Sequence, residues 1–326
     1  MHNHAEGFEQ APKSAFEIAG EGYLGYEHVL DTLRAEDGGE LLRAEVARVV
    51  KEYSLFEIPF LNESDEEMFA VLDLYDPGTA RHCYETYQIA KERMEEEIFP
   101  GISFATILKE QEHVTLDEFY RACLFHDIGK IAVPRSIINN TMRGVRDLPV
   151  SEFMSNDDLL EVNRYGFRSN QTMYDIIQKH EPEGGVTLRK TGHLKEAVIA
   201  EAHHNYGGKP YFEFTLPISI GTLHIHVDLS EVLHIADEKQ ALLSPDRSYK
   251  GMFSMAKFMR VVVEDTLAGK IHPIAAYFWL TSELRRYKES RVKDGVSEES
   301  AEERADLTVV DTFLAKENKD FAAAEA

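Results

Sequence analysis

Apolar residues recur along most of the chain at the 3.6-residue spacing of α-helices. The clearest run consists of Leu116, Phe119, Tyr120 and Cys123. Similar stripes predict helices around residues 82–94, 229–237 and 254–262. The pattern therefore predicts an all-α fold.

One stretch alternates with a period of two instead. Between residues 211 and 227, apolar and polar residues alternate around Pro217 and Gly221. This alternation is typical of two short strands joined by a turn. We expect a small β-hairpin inserted between the helices.

Three segments differ in composition and pattern. They are an N-terminal extension (1–64), a helical domain (65–285) and a charged C-terminal tail (286–326). The extension is partly helical, with one helix predicted over residues 41–55. In the tail only three apolar residues are placed to dock, so a loose helix or disorder is expected there.

Histidine and aspartate residues form five short clusters in the helical domain. In chain order these are His82, His126 with Asp127, His180, His203 with His204, and Asp237. Any one of these histidines alone is readily explained as a hydrogen-bonded core residue, but a carboxylate beside an apolar face is costly unless it is paired or metal-bound. Seven nitrogen and oxygen donors are enough for two metal ions. Such mixed sites suit iron, manganese or zinc better than magnesium.

The helix that precedes His126 should end near that residue, with Gly129 in the left-handed conformation that closes helices. Lys130 would then project toward the same point. If His203 and His204 lie on a helix, their side chains point about 100° apart and could serve different metals. Cys83 points elsewhere on its helix from His82 and is not expected to bind metal.

The segment from His126 to Lys130 resembles the signature of the HD-domain metal-dependent phosphohydrolases. Residues 179–185 and 201–204 are similar to the later histidine motifs of the HD-GYP branch. Residues 233–250 resemble that branch's aspartate helix and the basic loop after it. The matches run from about residue 79 to 280 in the order of the family, which implies an HD-domain helical bundle.

The resemblance also implies roles for individual residues. The seven donors would bind two divalent transition-metal ions, iron or manganese in preference to zinc, with Asp127 bridging them. Lys130 would hold a phosphate oxygen during catalysis, so Asp127 and Lys130 are the predicted catalytic residues. Arg247 and Lys250, in the basic loop, would bind a substrate phosphate together with Lys130.

The chain departs from the HD-GYP pattern in three places. Residues 205–211 are shorter than the usual Gly-Tyr-Pro loop and lack its aspartate. Gly78 occupies the position of a glutamate that three-metal members carry, so two metals are expected. Between Asp127 and His180, 53 positions apart, lies a charged insertion at residues 141–170 that could act as a lid.

The charge and the cysteine content limit the expected partners and the expected compartment of the protein. The net charge of −23, from 35 basic and 58 acidic residues, argues against nucleic-acid polymers and anionic membranes as partners. No segment is apolar enough to span a membrane, and the first residues lack the plan of a signal peptide. Cys83 and Cys123, the only cysteines, lie on apolar helical faces, so we expect reduced thiols in a cytoplasmic protein.

Three functions stay open at this point. The first is a phosphodiesterase of the HD-GYP type that hydrolyses a cyclic dinucleotide such as cyclic di-GMP. The second is an HD phosphohydrolase that acts on a mononucleotide or another small phosphate ester. The third is a catalytically weak sensor that binds a cyclic dinucleotide. In each case the expected partner is a small phosphorylated nucleotide, and a homodimer is left open.

Overall fold

The computed structural model describes residues 25–99, 102–110, 113–140, 142, 144–204, 215–220, 223–244, 253–293 and 300–325. Within these ranges the chain is predominantly helical, which confirms the all-α prediction. The helices are α1 (Tyr26–Ala35), α2 (Glu40–Glu52), α3 (Glu63–Tyr75), α4 (Pro77–Glu95), α5 (Phe104–Lys109), α6 (Leu116–Phe125), α7 (Arg135–Ile138), α8 (Asn156–Arg164), α9 (Met173–Ile177), α10 (His180–Lys190), α11 (Leu194–Glu201), α12 (Leu229–Leu243), α13 (Met255–Leu267), α14 (Pro273–Lys293) and α15 (Ala301–Glu325). The strands are β1 (Glu97–Phe99), β2 (Ile102–Ser103), β3 (Thr215–Ile220) and β4 (Leu223–Asp228).

The chain divides into two compact units. Unit 1 takes in the described residues up to Ala80, together with Ile128–Asn140 and Gly144–Glu183. Unit 2 is formed mainly by Arg81–Asp127 and by the described residues from Gly184 onward.

In unit 1 the N-terminal helices pack on α3. Leu42 and Val49 of α2 are buried, as its apolar stripe predicts. Arg48 of the same helix forms an ion pair with Asp73 of α3, and the Tyr53 hydroxyl donates a hydrogen bond of 3.0 Å to Asp73. The helix predicted over residues 41–55 ends earlier, at Glu52, because the chain then turns through a left-handed residue (φ 51°) into a short 3₁₀ helix.

The predicted insertion shares a small core with α7, α9 and the residues just before α7, within unit 1. The buried residues of this core are Val133, Ile137, Val150, Val162 and Ile176. Glu161 of α8 accepts hydrogen bonds from the backbone N–H groups of Arg135 (2.9 Å) and Ser136 (3.2 Å) at the start of α7. A carboxylate at a helix N-terminus satisfies amides that have no intrahelical partner. The described part of the insertion is therefore a packed element.

Unit 2 contains the C-terminal helices. The structure differs from the loose tail expected beyond residue 285, because α14 continues to Lys293 and α15 packs against α13. The face of α15 turned to the protein carries Leu307, Val310, Phe313 and Leu314, which are all buried. Asp306 beside them accepts a hydrogen bond of 3.1 Å from Arg260 of α13.

The predicted β-hairpin is confirmed. Strands β3 and β4 are antiparallel, with Thr215 opposite Asp228 and Pro217 opposite His226. A proline, which lacks the amide donor, is tolerated in a two-stranded ladder because both strands are edge strands. Among the described residues, no helix combines the length and the apolar character needed to cross a membrane.

Candidate metal centre

Four of the predicted ligands converge inside unit 2. His82 lies on α4, His126 caps the C-terminus of α6, Asp127 follows it, and Asp237 lies on α12. The Nε2 atom of His82 is 2.8 Å from Oδ1 of Asp237 and 3.5 Å from Oδ2 of Asp127. The Nε2 atom of His126 is 3.5 Å from Oδ2 of Asp127 and 3.7 Å from Oδ1 of Asp237. All four side chains are buried.

Most of these separations are too long for hydrogen bonds. Nitrogen and oxygen atoms in a hydrogen bond lie about 2.7 to 3.2 Å apart. Ligand atoms bound at about 2.0 to 2.2 Å to one ion lie roughly 3 to 3.5 Å from each other. The distances of 3.5 to 3.7 Å at Asp127 and His126 are close to that second spacing. The donor set therefore fits a transition-metal ion.

His203 and His204 lie beside this group. The ring centroid of His203 is 4.9 Å from that of His126 and 3.9 Å from that of His204. The Nε2 atom of His204 is 3.9 Å from Oδ2 of Asp237. Helix α11 ends at Glu201, so the two histidines lie in the turn after it and not on the helix, which was the premise of the 100° separation. Within unit 2, six of the seven predicted ligands are thus brought together.

The histidines of the site are oriented by the ends of helices. Nδ1 of His126 donates to the carbonyl of Cys123 (2.8 Å), and Nδ1 of His203 donates to that of Ala200. Each acceptor lies three residues back, in the last turn of α6 or α11, where carbonyls have no intrahelical partner. A proton on Nδ1 places the lone pair on Nε2, the nitrogen that then binds a metal.

His180 follows the same rule in unit 1. It is buried, and its Nδ1 donates to the carbonyl of Ile177, the last residue of α9, at 2.6 Å. Its role as a seventh ligand stays a prediction.

The Nδ1 atom of His82 contacts a side chain instead of a backbone carbonyl. Nδ1 of His82 bonds to Oε1 of Gln240 on α12, and Nε2 of Gln240 donates to Glu85 at 2.7 Å. The bond to Glu85 decides which end of the amide faces His82. The pair Gln240 and Asp237, one turn apart on α12, therefore contacts both nitrogens of one imidazole.

The cluster is strongly coupled electrostatically. Burial alone would lower the pKa of His126, but Asp127, Cys83 and Asp237 raise it well above its usual value. Burial would raise the pKa of Asp237, yet the neighbouring imidazoles of His126 and His82 hold it well below the usual range. Positive charge on the imidazoles thus stabilises the neighbouring carboxylates, and a metal cation would supply the same positive charge.

Two neighbouring residues were not expected here. Cys83 lies beside the site, because its Sγ falls within 4.8 Å of ligand atoms of His126 and Asp127, and the expectation that it points elsewhere is wrong. Helix α4 is buried on both sides at this level, so adjacent residues can both face inward. His234 groups with His204 and Asp237 within the same limit. Its position one turn before Asp237 was the signal in the sequence.

The segment after Asp127 also differs from expectation. Residues 128–132 form a 3₁₀ helix, so Gly129 keeps a right-handed backbone and does not close α6 in the left-handed conformation. Lys130 belongs to this 3₁₀ helix, in unit 1, and is half-buried. Arg247, Lys250 and the altered loop at 205–211 lie outside the described residues.

Comparisons of the chain with models of protein families, with curated proteins and with solved structures found no match. Function is therefore inferred from the residues of the cluster and from the motifs that contain them.

Glu231 supports a prediction about pH. It lies on α12 one turn before His234, and burial together with Asp228 raises its pKa from 4.5 to about 7. A raised pKa in the folded state means that this stability contribution is complete below about pH 4.5 and is lost as pH rises through 7. The Glu231→Gln side chain cannot ionise. Between pH 4.5 and 8 the free energy of unfolding of this variant should therefore rise by about 3 kcal/mol relative to that of the wild type. Urea unfolding at both pH values measures the difference, and parallel pH profiles would contradict it.

Proposed function

We propose that the protein is a metal-dependent phosphohydrolase of the HD superfamily. The observation that supports this most strongly is the shared orientation of its histidines. In both His126 and His203, Nδ1 donates a hydrogen bond to the backbone carbonyl three residues earlier, which leaves the lone pair on Nε2. Core histidines that serve packing alone have no reason to share this arrangement around two buried carboxylates.

The proposed centre binds two divalent ions through His82, His126, Asp127, His203, His204 and Asp237, with His180 as a seventh ligand. Iron or manganese is the preferred metal, and zinc is the alternative. Two such ions, when bound, lower the pKa of a shared water and stabilise the leaving oxygen of a phosphate ester. Asp127 would serve both ions, and its Oδ2 lies 3.5 Å from Nε2 of His82 and from Nε2 of His126.

The proposed substrate is a phosphodiester, with a cyclic dinucleotide of the cyclic di-GMP type as the first candidate. The negative net charge disfavours polymeric nucleic acids but not a small anion held by metals and local cations. The cations proposed for this purpose are Lys130, Arg247 and Lys250. A second candidate, hydrolysis of a mononucleotide or another small phosphate ester, is favoured by the altered 205–211 loop and by the packed insertion in unit 1.

A sensor without catalysis is the third candidate. It is disfavoured by the complete set of donors, because a protein that only binds a dinucleotide does not need the adjacent His126 and Asp127.

The sensor and the two enzymes give different results in one experiment. Protein purified without oxygen is analysed for metals and then supplied with Fe²⁺, Mn²⁺ or Zn²⁺. Hydrolysis is assayed on cyclic dinucleotides, linear dinucleotides and mononucleotides. Tight dinucleotide binding without turnover under any metal would favour the sensor.

Lys130→Ala is expected to retain the metals and to lose turnover. The proposed work of the ammonium group is on phosphate charge in the transition state, where one preorganised donor is worth roughly 10² to 10³ in rate. The measurement is kcat with metal content determined on the same samples. Lys109→Ala, at an exposed position on α5, is the matched control and should keep the wild-type rate. Equal rates for both variants would show that the ammonium group of Lys130 does not act on the phosphate.

A further inference from the structure

A second group of metal-ligand side chains lies between α12 and α13 in unit 2. His234 and Glu238 come from α12 and Asp265 comes from α13. One ligand atom of each residue lies within 4.8 Å of the other two. His234 is 4% exposed, and the two carboxylates are half-buried.

The fold explains why these three residues meet. His234 and Glu238 are four positions apart, so they lie one above the other on the same face of α12. Asp265 lies in the last turn of α13, which packs against α12. A negative charge at a helix C-terminus interacts unfavourably with the helix dipole. A cation bound near Asp265 would offset this unfavourable interaction.

One such cation is already present in the chain. Nζ of Lys270 is 2.8 Å from Oδ1 of Asp265, and the backbone N–H of Lys270 donates to the carbonyl of Asp265 at 2.9 Å. Gly269, with φ of 76°, makes the turn that folds Lys270 back onto the helix end. Lys270 therefore competes with any metal ion for the Asp265 carboxylate.

We propose that His234, Glu238 and Asp265 form a binding site for a divalent transition-metal ion, of the zinc type, separate from the centre at His126 and Asp127. One imidazole nitrogen and two carboxylates are a donor set that zinc accepts, with ligand atoms roughly 3.3 Å apart. Starting within 4.8 Å of each other, the three side chains need shifts of about one ångström to reach that spacing.

The position of the site indicates what it does. His234 also groups with His204 and Asp237, and an imidazole has two nitrogens that can face different neighbours. A metal at Glu238 and Asp265 would join α12, which carries Asp237, to the end of α13. The site does not depend on phosphohydrolase activity, because it can bind metal whether or not the other centre turns over a substrate.

The test is the number of Zn²⁺ ions retained per chain after equilibration with buffered Zn²⁺, in the wild type and in single variants. Asp265→Asn keeps the shape and should retain one ion fewer than the wild type. Glu264→Gln is the matched control. Glu264 immediately precedes Asp265 and forms a surface ion pair with Arg260 (2.7 Å). It should retain the wild-type number.

Two further variants keep the outcome clear. Lys270→Gln removes the competing charge and should tighten Zn²⁺ binding at this site by roughly tenfold. His126→Ala disrupts the other centre, and adding Asp265→Asn to it should remove one more ion. Unchanged zinc content in Asp265→Asn, in both backgrounds, would overturn the proposed site. A loss caused by Asp265→Asn but not by His126→Ala would uphold it while contradicting the phosphohydrolase centre.

Discussion

Asp127→Asn should lose the metal ions and with them the hydrolysis. The carboxylate is buried, and its Oδ2 is equidistant, at 3.5 Å, from Nε2 of His82 and of His126. Asparagine keeps the shape of this side chain but removes the charge that two cations would share. In the proposed dinuclear centre, metal content should fall from roughly two ions per chain to well below one.

The measurement is metal analysis of wild type and variant purified side by side without oxygen, followed by kcat on the same substrate. Asp117→Asn on α6 is the control, because Asp117 is exposed near the start of the helix that His126 caps. It should retain both metal and activity. A variant at Asp127 that retains stoichiometric metal would show that this carboxylate is not shared.

The end of α6 shows which structural features could be predicted from the sequence and which could not. The apolar stripe stops at Phe125, so a helix end near His126 could be predicted from local spacing. The hydrogen bond from Nδ1 of His126 to Cys123 follows from that end, because the last carbonyls of any helix need donors. The 3₁₀ helix after Asp127 could not be predicted, because a glycine is equally compatible with a left-handed cap and with continued right-handed turns.

Contacts between distant segments were the part that the sequence could not supply. The bond between His82 and Gln240 joins residues 158 positions apart, and no periodic pattern pairs them. The docking of α15 had only a few apolar residues in a charged helix as its signal. Its anchor, Asp306 bonded to Arg260, becomes visible only when α13 and α15 are adjacent. Local spacing thus predicts where candidate ligands lie on helices, whereas packing decides which of them meet.

A buried ion network links the helices that carry His82 and Asp237. Arg93, three turns after His82 on α4, donates to Glu283 of α14 at 2.6 Å. Lys239, two residues after Asp237 on α12, donates to the same Oε1 atom at 2.6 Å. The side chains of Arg93 and Glu283 are 3% and 1% exposed. Burial lowers the pKa of Arg93, which shows that desolvation of this cation is the cost that Glu283 offsets.

Glu283→Ala should therefore destabilise the protein by about 3 kcal/mol, because Lys239 loses this carboxylate and Arg93 keeps only its ion pair with Glu96 (2.6 Å). The free energy of unfolding is measured by urea denaturation at neutral pH. Glu289→Ala, at an exposed position on the same helix, should change it by less than about 0.5 kcal/mol. Since α4 and α12 bring His82 within 2.8 Å of Asp237, folded Glu283→Ala protein should also bind metal more weakly. A stability equal to that of Glu289→Ala would show that water replaces the carboxylate without cost.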